Sequence, residues 1–484
     1  LKILFLFLLF TSSVYADQIV VFTRPDKGVP VTEAERQKAT EDIISILKNT
    51  QYFDFGSSRI HGWPENDPTK KFWWANFWTG VQVSKLNGKV TYTHQNNGSD
   101  NAGIHTAPWM EGACYAYLLT GEQQYAHLAQ RTIRAFSGWI LSSARSKDDS
   151  PKILSRAFYP ESFSSNEFGR DLIVNYNASR PGINSEPSGY VHIPNNPTFG
   201  DTWVKNNRSI DDIGQMARAM SQTQACRNVF NAEAKADLDQ MNSLYSTWAK
   251  SVEDAHFIIP TFNFNAEIFS PKNAIGDFNV YKILGFDPNC TGKLALRMLY
   301  TNDPKNFNCG NGISKLEKIV SGFLKNDAVE ILRSHHIAAI ATAERNSLFD
   351  ITNKLRIGLS KRMDIDMELV KNPTKRPDLD IQDIAAFLVH SYNVGVPMNS
   401  DELHFVYERL HTAATELSSP AHFNTFHLFD SKVPDGNYSY DAPQAGLYFY
   451  TIGPMIGTCA SNLISKNNDR PMFDCEKIKQ ALKH

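Results

Sequence analysis

The chain lacks an excess of either charge: 49 Lys and Arg stand against 51 Asp and Glu, and no basic run stands out. A nucleic-acid surface or a purely electrostatic membrane surface is therefore not indicated. It also lacks a mature apolar run long enough for a stable bilayer span, which takes about 20 residues. The self-announcing motifs of chemistry are missing too. No GxSxG, HExxH, phosphate-binding glycine loop or dinucleotide fingerprint occurs, and no CxxC pair points to zinc or a thioredoxin-like centre. The sequence implies no cofactor and no metal.

What is present begins with an export signal. "LKILFLFLLFTSSVYADQ" has one Lys, an apolar run from Ile3 to Phe10, and a cleavage pattern ending at Ala16. This reads as a signal peptide over residues 1–16, a secreted mature chain over 17–484 and no stable membrane insertion. All six cysteines lie in the mature part. An even count in an oxidising compartment favours disulfides, and the preferred local pairs are Cys290 with Cys309 and Cys459 with Cys475. Cys114 and Cys226 fall inside helical patterns and read as buried thiols.

Helical periodicity dominates, and the helices are of two kinds. One set carries a charged face: "TEAERQKATEDIISILKN" from Thr32, "GEQQYAHLAQRTIRAFSGWI" from Gly121, "AEAKADLDQMNSLYSTWAKSVEDA" from Ala232, "LFDITNKLRIGLSKRMDIDMEL" from Leu348 and "DELHFVYERLHTAATEL" from Asp401. The other is apolar or small on nearly every side: "TAPWMEGACYAYLLT" from Thr106, "SIDDIGQMARAMSQTQAC" from Ser209, "AVEILRSHHIAAIATA" from Ala328, "DIQDIAAFLVHSY" from Asp380 and "PQAGLYFYTIGPMIGTCASN" from Pro443. A helix without a solvated face is expected inside and one with a charged face outside. Along the chain the two kinds alternate. Short links follow most inner helices, whereas long connections at 51–105, 141–208, 256–290 and 418–442 precede the next inner one. That alternation gathers the long loops at one end, the place to look for a site.

This pattern resembles the (α/α)6 toroid of six-hairpin glycosidases and polysaccharide lyases, most recognisably in "YAYLLTGEQQYAHLAQRTIRAF". The resemblance implies a mainly α, single-domain ring with its active site at the loop-rich end; the architecture alone selects no reaction. One β element is legible, "VQVSKLNGKVTYTH", where Asn87-Gly88 favours the positive φ angles of a two-residue hairpin turn. It falls in the first long loop.

Candidate chemistry starts at Ser209-Ile210-Asp211-Asp212. Ser209 with Asp212 fits a loose capping box, and both acids suit the positive end of a helix. Position argues for more, because this inner helix follows the longest loop. In the toroidal glycosidases that the chain resembles, rim carboxylates act as general acid and base, which makes Asp211 or Asp212 one partner. Adjacent helical residues diverge by about 100°, so the second partner must come from another inner helix start, such as Asp380 or Asp441.

A second constellation is basic and His-rich. His105, Tyr190 and His192 are candidate acid–base groups, and Arg180, Arg208, Arg333 and His336 are candidates to hold an acidic sugar. The bland reading of each His is a hydrogen-bonded core residue. A third feature is aromatic: Trp63, Trp74, Trp78 and Trp203 could stack on sugar rings or simply pack the loops onto the ring. The leading expectation is a secreted glycoside hydrolase. The alternatives are a lyase or epimerase of a uronate-containing glycan, or a non-catalytic secreted glycan-binding or host-interaction protein.

Overall fold

The computed structural model describes residues 22–49, 53, 81–87, 89–94, 102–156, 158–160, 190–205, 210–261, 287, 289–304, 307–313, 326–372, 381–417, 434–439, 443–460 and 472–483. The expected signal peptide, residues 1–16, lies outside them. Local chemistry starts the helices. Helix α1 (Glu33–Asn49) opens on a capping box: Thr32 N–H donates to the Glu35 carboxylate at 2.8 Å, and Glu35 N–H donates back to Thr32 Oγ1 at 3.3 Å. Helix α2 (Ala102–Thr120) stops where Gly121, at φ +75°, turns the chain and donates its N–H to the Tyr117 carbonyl. Two residues later α3 (Gln123–Leu141) begins.

The remaining helices are α4 (Ile210–Thr223), extended by a 3-10 turn at Gln224–Cys226, α5 (Ala232–Asp254), α6 (Cys290–Met298) and α7 (Asn326–Arg345). They are followed by α8 (Phe349–Val370), α9 (Ile381–Asn393), α10 (Ser400–Leu417), α11 (Pro443–Ala460) and α12 (Cys475–Leu482). The protein is mainly helical, with twelve α-helices among the described residues.

The apolar helices pack in a closed circuit. Helix α2 packs on α4, α4 on α7, α7 on α9, α9 on α11, and α11 returns to α2. These are the five segments that lack a charged face. Close approach at the closure depends on small residues: a Cβ on Gly112 of α2 would come within 2.5 Å of the Gly453 Cα of α11. The charged helices lie alongside: α3 on α2, α5 on α3, α8 on α7 and α9, and α10 on α9 and α11. Helix α6 packs on α7 and touches α4 and α5.

The core is continuous through these layers. Trp109, Trp139 and Trp248 are fully buried, each worth roughly 3 kcal/mol of transfer free energy as a large apolar side chain. An N-terminal strap crosses two outer helices. Arg24 donates to Glu402 of α10 at 2.7 and 2.8 Å and to Asp364 of α8 at 3.0 Å, while Glu402 also closes a capping box with Asn399.

The β content exceeds the single hairpin legible in the sequence. That hairpin forms as expected, β1 (Val81–Leu86) with β2 (Lys89–His94), and Asn87 takes φ +50°. A strand from the last long connection, β6 (Gly436–Ser439), adds to β1. A second sheet lies in the 141–208 connection: β5 (Gly200–Lys205) pairs with β3 (Phe158–Pro160) and β4 (Tyr190–Asn196). All six strands among the described residues therefore fall within predicted long connections. Since β2 leads into α2 and β6 into α11, their shared sheet brings two inner-helix entries to one end.

Both preferred cysteine pairs form, Cys290 with Cys309 and Cys459 with Cys475. Cys114 and Cys226 correct the expectation of buried thiols. Packing of α2 on α4 brings their Cα atoms to 5.8 Å, and they form a third disulfide. Three disulfides fit an oxidising, extracytoplasmic environment. Among the described residues, no helix is long and apolar enough to cross a membrane.

Candidate active site at the entry of helix α4

The second sheet has two faces. Phe158, Ile193 and Val204 alternate onto the face that joins the core. The opposite face carries, by register, Tyr159, Tyr190, His192, Trp203 and Lys205: Tyr190 stands across from Lys205, and His192 from Trp203. The His192 and Trp203 rings lie 4.9 Å apart at 34°, and both residues are half-buried. Lys205 ends β5 and is fully buried.

Beyond it, α4 begins with Asp212 on its first turn, also fully buried. Arg156 completes the group. Its backbone N–H donates to the Lys205 carbonyl at 3.0 Å, and its Nε lies 3.9 Å from the Asp212 carboxylate. Burial pulls the Lys205 amine down to about 7, with Asp212 acting in the opposite direction. A lysine in that range exchanges a proton near neutrality, as an acid–base catalyst must.

Of the expected site residues, Asp212 lies in the field of Lys205 and Arg156, His192 and Trp203 stack on the sheet face that carries Lys205, and the Tyr190 position is opposite Lys205. Asp211 follows Ile210 at the start of α4, and His105 lies in the first turn of α2. Trp63, Trp74, Trp78, Arg180, Arg208, Asp380 and Asp441 lie outside the described residues.

Arg333 and His336 lie elsewhere, between inner and outer helices, where each has an internal partner. Arg333 donates two parallel hydrogen bonds to Asp366 of α8, at 3.0 and 2.9 Å, with both residues buried. His336 Nε2–H donates to the Leu355 carbonyl at 2.8 Å, and burial, reinforced by Arg362, pulls its imidazole down to about 3. His336 matches the bland reading of a hydrogen-bonded core histidine.

The sequence reading passed over Lys205, Arg156 and a polar group deeper in the circuit. There Arg218 of α4 donates to Glu111 of α2 at 2.8 and 3.3 Å, and His390 of α9 comes within 3.7 Å of the same carboxylate. Burial lifts the Glu111 carboxyl above its ordinary range, with Arg218 pulling it back. A signal for these was available: Glu111 and Arg218 are lone charges in "WMEGAC" and "MARAMS", and a charge in an apolar helix is more informative than an apolar residue there. For the sheet, "GYVHIP" and "GDTWVK" alternate around a turn.

Among the described residues, no group of three or more His, Cys, Asp or Glu is placed to hold a metal ion. Comparison of the chain with protein-family models, with curated proteins and with solved structures finds no match.

Proposed function

We propose that this chain is a secreted carbohydrate-active enzyme with an α-toroid scaffold, acting by acid–base chemistry on a uronate-containing glycan. The closed circuit of apolar helices flanked by charged ones supports the scaffold, as a ring of five inner helices among the described residues rather than six. The observation that carries the reaction is Lys205, its amine at about 7, beside Asp212 and Arg156 and across from the Tyr190 position. This reading raises the lyase or epimerase alternative above hydrolysis.

In this mechanism Arg156 meets the uronate carboxylate, and neutral Lys205 takes the C5 proton. In elimination the C4–O bond then breaks, its electron pair leaves with the oxygen, and Tyr190 or His192 returns a proton to that oxygen. Asp212 holds the resulting ammonium. Trp203 offers a ring face to the sugar.

The deciding assay incubates mature protein with neutral and uronate polysaccharides, following reducing ends and ultraviolet absorbance together. Both signals should rise with a uronate polymer only, and Lys205→Met should lower the rate by on the order of 100-fold or more. Reducing ends without absorbance would overturn elimination. They would instead support the hydrolytic reading, with the buried Asp212 as one of its two carboxylates. Silence with every polymer would favour a binding protein.

A further inference from the structure

The adjacent histidines of α7 serve different neighbours. His336 bonds to the Leu355 carbonyl of α8, whereas His335 turns to the side where α7 packs on α4 and α6. Its Nε2 lies 2.9 Å from the Ile210 carbonyl, and a carbonyl only accepts, so this nitrogen carries a proton and donates it. His335 is 1% exposed, and its ring is wedged between helices. A Cβ on Gly214 of α4 would come within 2.8 Å of the ring, and one on Gly292 of α6 within 2.4 Å. Neither helix can carry a larger residue there without moving the imidazole.

The acceptor gives this bond its place in the site. Ile210 is the first residue of α4, and Asp212 stands two residues on. Helices fray at their first turn, where the N–H groups have no partner within the helix. Lys205 ends β5 and Ile210 begins α4, so the spacing of Lys205 and Asp212 depends on how these two ends are held. Each is held through a backbone carbonyl: that of Lys205 accepts the Arg156 N–H at 3.0 Å, and that of Ile210 accepts His335. The charge acting on the Lys205 amine is that of Asp212, which Arg156 also approaches, at 3.9 Å, while Tyr190 stands across from Lys205 by register.

We propose that His335 is a positioning residue of the candidate active site: its Nε2–H pins the first carbonyl of α4 and so keeps Asp212 set against Arg156 and Lys205. The inference rests on the site reading above and adds to it a residue that acts through others. Without the pin, the entry of α4 opens locally and water reaches the lysine. Burial is the larger influence on Lys205 and Asp212 the smaller, so hydration raises the amine from about 7 toward its ordinary value.

The test titrates the full mature chain, labelled with 13C in its lysine side chains, and follows the Cε signal that Lys205→Met removes. His335→Leu deletes the donor, and His335→Gln keeps an N–H at the place of Nε2. His336→Leu is the control, since it breaks the corresponding bond from the next residue. Lys205 should titrate at about 7 in the wild type, in His335→Gln and in His336→Leu. In His335→Leu it should titrate about one unit higher or more, a tenfold change in proton affinity. Gly292→Ala, which forces the ring from its place on the α6 side, should raise it too and stands in if His335→Leu does not fold. An unmoved midpoint in these variants overturns the proposal, and so does an equal rise in His336→Leu, which would make the effect a general loosening of α7. The titration needs no substrate, so the two readings fail separately. The expected shifts with no polymer turned over would uphold the pin and overturn the reaction, and turnover of a uronate polymer with unmoved midpoints would do the reverse. A wild-type lysine that titrates at its ordinary value overturns both.

Discussion

Two Arg–Asp encounters in this protein, each with a buried carboxylate, use the same residue types differently. Between α7 and α8, Arg333 and Asp366 meet through two parallel bonds of 2.9 and 3.0 Å, a geometry that fixes both side chains. At the entry of α4, Arg156 stands 3.9 Å from Asp212, and a third group, Lys205, shares the carboxylate's field with its amine at about 7. The first arrangement is closed by its own two bonds. The second keeps a lysine amine near neutrality, and it lies where a long connection feeds an inner helix. Residence on an apolar helix therefore does not mark a functional charge; what faces it does.

The largest effect should come from breaking the closed pair. Arg333→Met leaves Asp366 buried without its cation, which typically destabilises by about 3–5 kcal/mol. Replacing both partners, Arg333→Met with Asp366→Leu, should recover most of that loss. Urea unfolding of the two variants measures the difference. A single variant within about 1 kcal/mol of wild type would show that the pair is not the fastening inferred here, and the contrast with Arg156 would collapse.

Next in size is the staple on α4, the helix of the second region. Cys114–Cys226 closes a sequence separation of 112 residues and ties α2 to the end of α4. Replacing both cysteines by Ala should lower stability by about 2–5 kcal/mol. If the loss is small, packing of α2 on α4 alone sets the position of α4. The melting temperature of the double variant, compared with the unreduced parent, decides it.

Lys205 sharpens the comparison through pH. Its folded pKa, at about 7, lies below the unfolded value, so between about pH 7 and 10 the unfolded chain binds one more proton than the folded one. Stability should therefore rise with pH across that window, by roughly 1.4 kcal/mol per unit for this one proton. Lys205→Met should flatten the slope, whereas Arg333→Met should leave it in place. An unchanged slope in Lys205→Met would mean that the amine is not the titrating group.

Much of the scaffold was legible because helical burial writes itself into composition. The five segments without a charged face are the five that close the circuit, and the four long connections contain every described strand. The local cysteine pairs were legible because their spacings are short. Cys114–Cys226 was not, since its 112-residue separation carries no local trace and only helix packing joins its ends. The site divides the same way. Asp212, His192 and Trp203 could be named from position and type, but Lys205 and Arg156 acquire meaning only when β5 meets the segment before β3. Glu111, Arg218 and His390 come from three helices far apart in sequence, so no pattern in any one of them shows that they meet.

The smallest global effect should come from the sheet that joins the first and last long connections. Asp435, just before β6, accepts a hydrogen bond from the Asn87 N–H at 2.7 Å, so it fastens the hairpin turn to the strand pairing at β1. Asp435→Ala removes that acceptor from an exposed turn and touches neither Arg–Asp pair. Urea unfolding should be unchanged within error, because the circuit beneath does not depend on this contact. Amide exchange should nevertheless quicken in β1 and β6, since local opening draws on local bonds. If exchange quickens equally in α7 and α8, the loop-rich end and the helical seam open as one unit, and the division between a fixed frame and a separately opening end would fail.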